Sequence, residues 1–302
     1  MQGIAVGVDA GGTSTTASYS KDGVFCTAET TQGASATALG VDEAARRIIA
    51  AIEALIPAHN PASIYIGAAG AGRPEVAHAL ETQIATHYRA AQVRVSDDAH
   101  IAVRACVPEG AAMVLIAGTG SIAYAENESQ ESFRAGGFGF LLGDDGSGFA
   151  LGLAAAKLLL RVYDGRAAAD ELTREVESRL GVQDAPELVR RVYGKEHPVA
   201  LLAALAQPVI TLASNGVRSA QKLVQSAALE LSDLVKVVAR KAGLTGVACP
   251  LVLAGGLLRE NSMLSFVLET RLQADLPSIE ILKRAAEPHR GALAAAEALL
   301  PS

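Results

Sequence analysis

The feature that most constrains the fold is an apolar strand that runs directly into an acid, two glycines and several hydroxyl side chains. Residues 4–16 read IAVGVDAGGTSTT, and residues 113–121 read MVLIAGTGS, which repeats this design. Glycine lets backbone N–H groups approach a phosphate closely, and Thr and Ser hydroxyls add uncharged donors. Two such stretches predict a pair of turns that hold a polyphosphate from two sides.

Other interpretations of the first stretch are weaker. A dinucleotide site of the Rossmann type requires its glycines to open a helix, whereas residues 13–18 (TSTTAS) are β-branched and strand-like. A Walker A loop is excluded because the sequence contains no GxxxxGK[ST]. For either stretch taken alone, a tight hairpin without a ligand remains an open alternative.

The predicted elements occur twice in the order β-β-β-α-β-α-β-α, which indicates an internal duplication. The first copy has strands near 3–8, 14–20, 23–30, 63–68 and 93–96, with helices near 42–56, 74–88 and 98–106. The second copy has strands near 112–117, 121–126, 132–136, 250–254 and 278–282, helices near 261–273 and 290–300, and a helical insertion over 147–243. We therefore predict an α/β protein with two domains, 1–110 and 111–302.

Composition narrows the class of protein. The 302 residues are enough for two domains, and the net charge of −6 argues against general nucleic-acid binding. No apolar run reaches the ~18 residues of a membrane span, and the first residues do not resemble a secretory signal, so we expect a cytoplasmic protein. Cys26, Cys106 and Cys249 are too few and too scattered for a disulfide framework.

Two acidic sites follow apolar strands. Asp9 ends the first strand, where it could stabilise a turn or bind Mg²⁺ through water. Asp97 and Asp98 follow the strand near 93–96 and begin a helix, so that Asp97 could cap the helix while Asp98 points inward. A carboxylate that accepts the proton of an alcohol assists phosphoryl transfer to that alcohol.

A second glycine-rich segment, residues 136–148 (GGFGFLLGDDGSG), is too glycine-rich for regular structure and too apolar for a linker. We expect a loop that encloses a ligand, because a buried loop without one would leave many backbone groups unpaired. Asp144 and Asp145 precede a long helix, which one of them could cap while the other faces the ligand. Residues 252–257 (VLAGGL) form a strand that ends in two glycines, either as a simple βα turn or as a surface for a nucleoside.

Taken together, these segments resemble a known superfamily. Residues 9–16, 96–99, 114–121, 136–148 and 253–257 occur in the order of the phosphate-1, connect-1, phosphate-2, sugar-loop and adenosine motifs of the actin-like ATPases. Within that superfamily the chain is similar to the N-acetylglucosamine and glucosamine kinases that group with the BadF/BadG/BcrA/BcrD ATPases. The resemblance covers nearly the whole chain and implies two ribonuclease H-like domains that close over a cleft.

The resemblance also implies the roles of individual residues. It assigns the ATP phosphates to Gly11, Gly12, Thr13, Ser14, Gly118, Thr119, Gly120 and Ser121, and the adenosine to Gly255 and Gly256. Asp9 would position Mg²⁺ through water, and Asp98 would be the catalytic base. The sugar would contact Ser35, Gly72, Asp98, Gly137 and Asp144.

The implied activity is ATP-dependent phosphorylation of an amino sugar such as N-acetylglucosamine or glucosamine, normally at the hydroxyl on carbon 6. Two positions depart from the family pattern, because Ala36 replaces the usual Asn and Ala71 replaces the Ser of some members. Loss of two polar contacts weakens the expectation for the usual substrate. The alternatives are an ATPase that activates a reductase through an iron–sulfur cluster, and a sugar-sensing protein without catalysis. A homodimer through the helices of the insertion is also open.

Overall fold

A computed structural model of the chain describes residues 3–12, 14–57, 59–194, 198–258, 261–282 and 287–300. The chain divides into two compact units, one containing Met1–Glu109 and Ala285–Ser302 and the other containing Gly110–Arg284. Each unit has one five-stranded sheet with helices packed on it. The predicted α/β class is confirmed.

The sheet of the first unit has the strand order β3-β2-β1-β4-β5. Its strands are β1 (Ala5–Ala10), β2 (Thr15–Lys21), β3 (Val24–Thr30), β4 (Ser63–Ala68) and β5 (Gln92–Asp97). β1, β4 and β5 are parallel, whereas β2 is antiparallel to both of its neighbours. The helices that follow these strands are α1 (Ala36–Leu39), α2 (Val41–Leu55), α3 (Pro74–His87) and α4 (Asp98–Cys106).

The sheet of the second unit has the equivalent order, β10-β9-β6-β7-β8. Its strands are β6 (Ala112–Ala117), β7 (Ser121–Glu126), β8 (Ser132–Gly136), β9 (Cys249–Ala254) and β10 (Ile279–Leu282). Between β8 and β9 lie α5 (Gly148–Tyr163), α6 (Glu171–Leu180), α7 (Ala185–Tyr193), α8 (Pro198–Ala203), α9 (Ala206–Ser214) and α10 (Arg218–Lys241), and α11 (Met263–Asp275) follows β9. The predicted helical insertion over 147–243 corresponds to α5 through α10.

The last helix, α12 (Pro288–Ala298), packs on the first unit although it follows β10 in sequence. The contact is close, because a Cβ atom on Gly7 of β1 would lie 2.2 Å from the backbone nitrogen of Leu293. Likewise, a Cβ atom on Gly291 would lie 2.2 Å from the carbonyl oxygen of Ile101 in α4. The predicted second domain, 111–302, therefore differs from the second unit at its end: the residues of α12 lie with the first unit.

Both faces of β1 are covered, which explains why its sequence is continuously apolar up to Asp9. Val6 and Val8 join a core with Ile48 and Ile52 of α2, and Ala5 joins a smaller cluster that includes residues of α12. The second unit is built around one large apolar core that connects its sheet with the helices of the insertion.

The boundaries of predicted elements shift by a few residues. The predicted strand 3–8 is found at Ala5–Ala10, and the predicted helix 261–273 at Met263–Asp275. The four-residue helix α1 was not predicted, because so short a helix has no apolar periodicity. Among the described residues, no single helix combines the length and hydropathy of a membrane span; the pair Pro198–Ser214 and Arg218–Lys241 meets that test only jointly and bends by 115° at its break.

Candidate active site

Two carboxylates of the first unit lie at the carboxyl edge of its sheet. Asp9, the next-to-last residue of β1, is in register with Gly67 of β4, which is in register with Ser96 of β5. Asp98 begins α4 directly after β5. Because these strands are parallel, their carboxyl ends meet at one edge, which is where open α/β sheets bind ligands. The structure thus brings Asp9 and Asp98 together at that edge.

The predicted cap at Asp97 is confirmed. Asp97 is the N-cap of α4, and its Oδ1 accepts a hydrogen bond of 2.9 Å from the backbone N–H of Ala99. This cap satisfies one of the unpaired donors of the first turn and fixes where the helix begins. Asp98, in the first turn, is left with a partly buried carboxyl group beside Asp97.

Both carboxyl groups hold their protons more tightly than free Asp. Burial raises the pKa of Asp98 well above its ordinary value, and the neighbouring Asp97 and Asp9 carboxylates raise it further. Burial also raises the pKa of Asp9, from 3.8 to about 6, with a smaller contribution from the Glu29 carboxylate. This edge of the sheet places carboxylates close together. Such an arrangement is suited to binding a cation or to accepting a proton.

The turn between β1 and β2 is a closed hairpin. The N–H of Gly11 donates to the carbonyl of Ser14 at 3.0 Å, and the carbonyl of Gly11 accepts from the N–H of Ala34 at 2.9 Å. Gly12 is exposed, and a Cβ atom there would meet nothing within 4 Å. Thr13, predicted to bind phosphate, lies outside the described residues. Among the described residues of this turn, Gly12 thus has room for a phosphate beside its backbone.

The residues predicted to bind the sugar in the first unit lie on two adjoining loops. Ser35 is 8% exposed, and its hydroxyl donates to the carbonyl of Ala69 in a long hydrogen bond of 3.4 Å. The N–H of Ala36 donates to the same carbonyl at 3.0 Å. Gly72 is partly buried in the turn before α3. Ala36 and Ala71, which replace polar residues of the family pattern, are 6% and 5% exposed.

The second unit carries the corresponding turn between β6 and β7. The N–H of Gly118 donates to the carbonyl of Gly120 at 2.9 Å, while Thr119 is exposed at the tip. Ser121 is 3% exposed and donates its hydroxyl to the carbonyl of Asp145 at 2.7 Å. Thr119 is thus the exposed hydroxyl residue of this turn, whereas the Ser121 hydroxyl is used within the protein.

The two glycines after β9 lie beside this turn. Gly255 has φ +95°, and a Cβ atom there would lie 2.3 Å from the carbonyl oxygen of Ala117, the last residue of β6. The same carbonyl accepts a hydrogen bond from Leu257 at 3.1 Å. Gly255 and Gly256 are both exposed. The structure therefore brings the predicted adenosine and phosphate-2 residues to one edge of the second sheet.

The start of α5 corrects one expectation. Neither Asp144 nor Asp145 caps this helix; Ser147 is its N-cap and accepts from the N–H of Ala150 at 3.2 Å. Asp144 has a left-handed backbone (φ +58°), and its Oδ1 lies 3.4 Å from the N–H nitrogen of Ser121. Burial raises the pKa of Asp144, and the bond from Ser121 offsets part of that rise.

Arg134, a residue that belongs to no motif in the sequence, holds the glycine-rich loop in place. Arg134 of β8 donates from Nη2 to the carbonyls of Gly136 (3.3 Å) and Gly137 (2.9 Å), and its Cζ lies 5.3 Å from the centre of the Phe138 ring. The N–H of Gly137 donates to the carbonyl of Ser121 at 2.8 Å. An isolated Arg on a strand belongs to no recognisable motif. Ser147, in contrast, precedes an apolar helix and could have been recognised as its N-cap.

Sequence comparison identifies kinases of acetylated sugars among the relatives. The chain is 28% identical over 220 residues to an N-acetylmuramic acid/N-acetylglucosamine kinase of Clostridium acetobutylicum, covering 73% of this chain and 72% of that protein. It is 31% identical over 182 residues to an N-acetyl-D-glucosamine kinase of Dictyostelium discoideum, covering 60% of this chain and 57% of the relative.

Solved structures share the fold over its full length. A candidate N-acetylglucosamine kinase of Chromobacterium violaceum superposes with a TM-score of 0.79 at 25% identity, covering 98% of this chain and 99% of that chain. A ROK family glucokinase of Streptomyces griseus, solved with glucose and AMPPNP, has a TM-score of 0.59 at 17% identity and covers 99% of both chains. The second likeness shows the fold alone.

The family itself is shown by a match over almost the entire sequence. Residues 6–297 fit the sequence profile of a single family, which spans the strands of both units and α5 through α11. This match agrees with the order of motifs in the sequence and with the equivalent strand order of the two sheets. The chain belongs to the BadF/BadG/BcrA/BcrD ATPase family.

Proposed function

We propose that the chain is an ATP-dependent kinase of an amino sugar of the N-acetylglucosamine type, with the hydroxyl on carbon 6 as the acceptor. The observation that carries this proposal is Asp98, a partly buried carboxyl group in the first turn of α4, next to Asp9 at the carboxyl edge of the sheet. The names of the relatives support the class of acceptor, and the family supports the use of ATP.

Asp98 is proposed as the general base. In the ionised form it would accept the proton of the sugar hydroxyl as the oxygen attacks phosphorus, which orients the nucleophile and removes its proton. Burial and the neighbouring carboxylates raise the pKa of Asp98 and so make it a better proton acceptor near neutral pH. The Asp97 cap holds α4 in place and thereby fixes the position of this base.

The nucleotide would be bound by backbone groups and hydroxyls. Gly12 in the first unit and Thr119 in the second are exposed parts of the two predicted phosphate-binding turns. Asp9 suits Mg²⁺, because a crowded carboxylate with a raised pKa gains most from a cation. When bound, Mg²⁺ would offset the negative charge of the ATP phosphates.

The acceptor is expected to be acetylated rather than a simple hexose. The pocket residues at 36 and 71 are buried alanines, and the Ser35 hydroxyl is directed to Ala69, so these loops offer few polar side chains to sugar hydroxyls. A less polar site discriminates poorly among hydroxyl patterns and favours substrates with an additional apolar substituent. The methyl of an N-acetyl group supplies such a substituent.

The test is a coupled ADP-release assay with glucosamine, N-acetylglucosamine, N-acetylmuramic acid, N-acetylmannosamine and glucose. We expect turnover with an N-acetylated sugar and no turnover with its 6-deoxy analogue. NMR of the product should show coupling between phosphorus and the protons on carbon 6. Turnover with the 6-deoxy analogue would exclude carbon 6. Sugar binding without ADP release would instead support the sugar-sensing alternative.

Asp98→Asn isolates the role of the base. We expect the turnover of this variant to fall by about 10²–10⁴-fold, which is the usual contribution of general base catalysis. Nucleotide affinity should stay within about twofold, because the change is isosteric. The matched control is Asp22→Asn in the exposed turn between β2 and β3. Unchanged turnover in Asp98→Asn would exclude the assignment.

The alternative of a reductase activator requires cysteines that hold an iron–sulfur cluster. Cys26 lies in β3, Cys106 ends α4 and Cys249 begins β9, where it is buried. Among the described residues, no three metal-ligating side chains gather into one group. An iron assay on protein purified without oxygen separates this alternative from the kinase.

A further inference from the structure

The loop of residues 31–35, between β3 and α1, is bonded to two neighbouring turns; we call it the β3–α1 loop. The N–H of Ala34, which has no exposed surface, donates to the carbonyl of Gly11 in the turn between β1 and β2 at 2.9 Å. The N–H of Ala36, which follows the loop, donates to the carbonyl of Ala69 in the turn after β4 at 3.0 Å. The loop therefore joins the turn proposed to bind phosphate to the region proposed to bind the sugar.

A charged side chain of α2 holds the middle of this loop. Arg47 donates from Nη1 to the carbonyl of Gly33 at 2.8 Å, and from Nε to Oε1 of Glu43, one turn earlier in the helix, at 2.7 Å. Gly33 is buried, so this bond satisfies a backbone acceptor that is shielded from water. The helix itself is firmly placed, because Ile48 and Ile52 belong to the core of the first unit. Arg47 thus fixes the loop relative to that core.

We infer that Arg47 is a positioning residue that orders the β3–α1 loop before any ligand binds, and that this one loop serves both the nucleotide and the acceptor. Ser35, proposed to contact the acceptor, lies in the loop, and Gly11, proposed to contact a phosphate, is bonded to it. The inference deepens the proposed function, on which it rests for the identity of the two ligands.

An ordered loop and a disordered loop respond differently to two ligands. If a ligand binds only to the ordered form, its apparent affinity is reduced by the fraction of molecules in which the loop is ordered. The first ligand bears the cost of ordering, and the second finds the loop in place, so that each ligand strengthens the binding of the other. In the unmodified protein Arg47 orders the loop beforehand, so this source of coupling is small. Without Arg47, each ligand alone should bind more weakly and the two should bind together with nearly unmodified affinity.

The first experiment is calorimetry of Arg47→Ala with Mg·AMPPNP and with the acceptor found in the ADP-release assay. Each ligand is titrated alone and then with the other ligand at saturation. We expect each single affinity to fall about tenfold, a loss typical of removing a hydrogen bond from a charged donor. With the other ligand at saturation, each affinity should return to within about threefold of that of the unmodified protein.

Arg46→Ala is the matched control, because Arg46 also pairs with Glu43 but its side chain is 73% exposed and, among the described residues, makes no bond to the loop. This variant should bind both ligands like the unmodified protein. Unchanged coupling between the ligands in Arg47→Ala, or a loss of affinity that the other ligand does not restore, would overturn the inference. Unfolding curves confirm that Arg47→Ala is folded before titration. If it is not, Arg47→Lys, which cannot bond Glu43 and Gly33 through one planar group, should show a smaller change in the same direction.

Hydrogen exchange measured by NMR tests the order of the loop without any ligand, which separates the inference from the proposed function. In Arg47→Ala the amides of Ala34 and Ala36 should exchange faster than in the unmodified protein and in Arg46→Ala, because their hydrogen bonds open more often. Faster exchange in a protein that phosphorylates no sugar would support the role of Arg47 in ordering the loop while excluding the kinase. Unchanged exchange at both amides would overturn the inference.

Discussion

Gly67 of β4 packs directly against Ile101 of α4, so closely that a methyl group on Gly67 would lie 2.3 Å from Ile101 Cδ1 and Cγ1. Gly67 is in register with Asp9, and Ile101 lies one turn after Asp98. The absence of a side chain at residue 67 therefore allows α4 to approach the sheet, which sets the distance of the proposed base from the sheet edge.

We expect Gly67→Ala to displace α4. The free energy of unfolding should fall by about 1–3 kcal/mol, as is typical when a core is overpacked. The kcat for sugar phosphorylation should fall as well, whereas the affinity for nucleotide should stay similar. Chemical denaturation and steady-state kinetics measure the two effects. In Gly67→Ala/Ile101→Ala the loss of stability should be smaller than the sum of the single losses, and additivity would contradict the contact.

The cap of α4 gives a second prediction. Asp97→Ala removes the acceptor for the Ala99 N–H and should lower the free energy of unfolding by about 1 kcal/mol. Asp97→Asn keeps an oxygen in that position and should retain most of the stability. Denaturation of the two variants decides whether Asp97 acts as a cap. Equal losses in both would show that its charge, and not the hydrogen bond, stabilises the helix.

The same Asn variant tests the electrostatics of the base. The Asp97 carboxylate contributes to the raised pKa of Asp98, so Asp97→Asn should lower the pKa of Asp98. The base has to be ionised, and kcat/KM therefore falls as the pH falls through that pKa. We expect the acidic limb of the pH profile to move to lower pH in Asp97→Asn. An unmoved limb would show that another group controls it.

Contacts between residues that are distant in sequence could not be predicted from the sequence alone. The order of the elements along the chain, its repetition, and the placement of Asp9 and Asp98 after strands follow from periodicity and local composition, whereas the order of the strands within each sheet does not. The contact of Gly67 with Ile101 joins residues 34 positions apart, and no local pattern encodes it. The packing of α12 on β1 was missed for the same reason, since its chain neighbour β10 belongs to the other unit.

Within the candidate site, the limit of sequence reasoning is similar. The pairing of Asp144 and Asp145 with a following helix suggested a cap, but the backbone turns through a left-handed residue first and leaves the cap to Ser147. Which of two adjacent acids points inward depends on such dihedral angles. Arg134 reaches the carbonyls of a loop two and three residues ahead of it, a contact that residue type alone does not predict.

Asp9 gives a prediction about stability and pH. Its pKa is about 6 in the folded protein and 3.8 ordinarily, so the folded state binds this proton more tightly. The resulting stabilisation is complete below pH 3.8 and is lost as the pH rises through about 6. At pH 7.5 the metal-free protein therefore carries an unfavourable charge, which Mg²⁺ would offset.

We expect metal-free Asp9→Asn to be more stable than the unmodified protein at pH 7.5, by about 1–2 kcal/mol, and to lose that advantage near pH 4. Asp9→Asn should also lose sugar phosphorylation, because the amide side chain does not attract the cation as the carboxylate does. Denaturation at both pH values in the presence of EDTA measures the difference. Glu29→Gln is the control and should change stability less, since Glu29 is the smaller cause of the raised pKa. A less stable Asp9→Asn at pH 7.5 would contradict the electrostatic argument.

The anchor of the glycine-rich loop provides the last prediction. Arg134 holds the carbonyls of Gly136 and Gly137 with one nitrogen and lies over the ring of Phe138. Lys keeps the charge but cannot present a planar group to a carbonyl pair and a ring at once. In Arg134→Lys we expect the loop to loosen and the KM of the sugar to rise several-fold, while nucleotide affinity changes less.

Limited digestion with chymotrypsin reports on the loop independently of activity, because the segment carries the exposed Leu141 and Leu142, 81% and 87% accessible. Arg134→Lys should be cleaved there faster than the unmodified protein, since cleavage requires a locally opened backbone. Arg240→Lys, an exposed position on α10, is the matched control and should behave like the unmodified protein. Equal cleavage rates together with an unchanged KM would show that the loop holds its conformation without Arg134, through its backbone hydrogen bonds such as that from Gly137 to the carbonyl of Ser121.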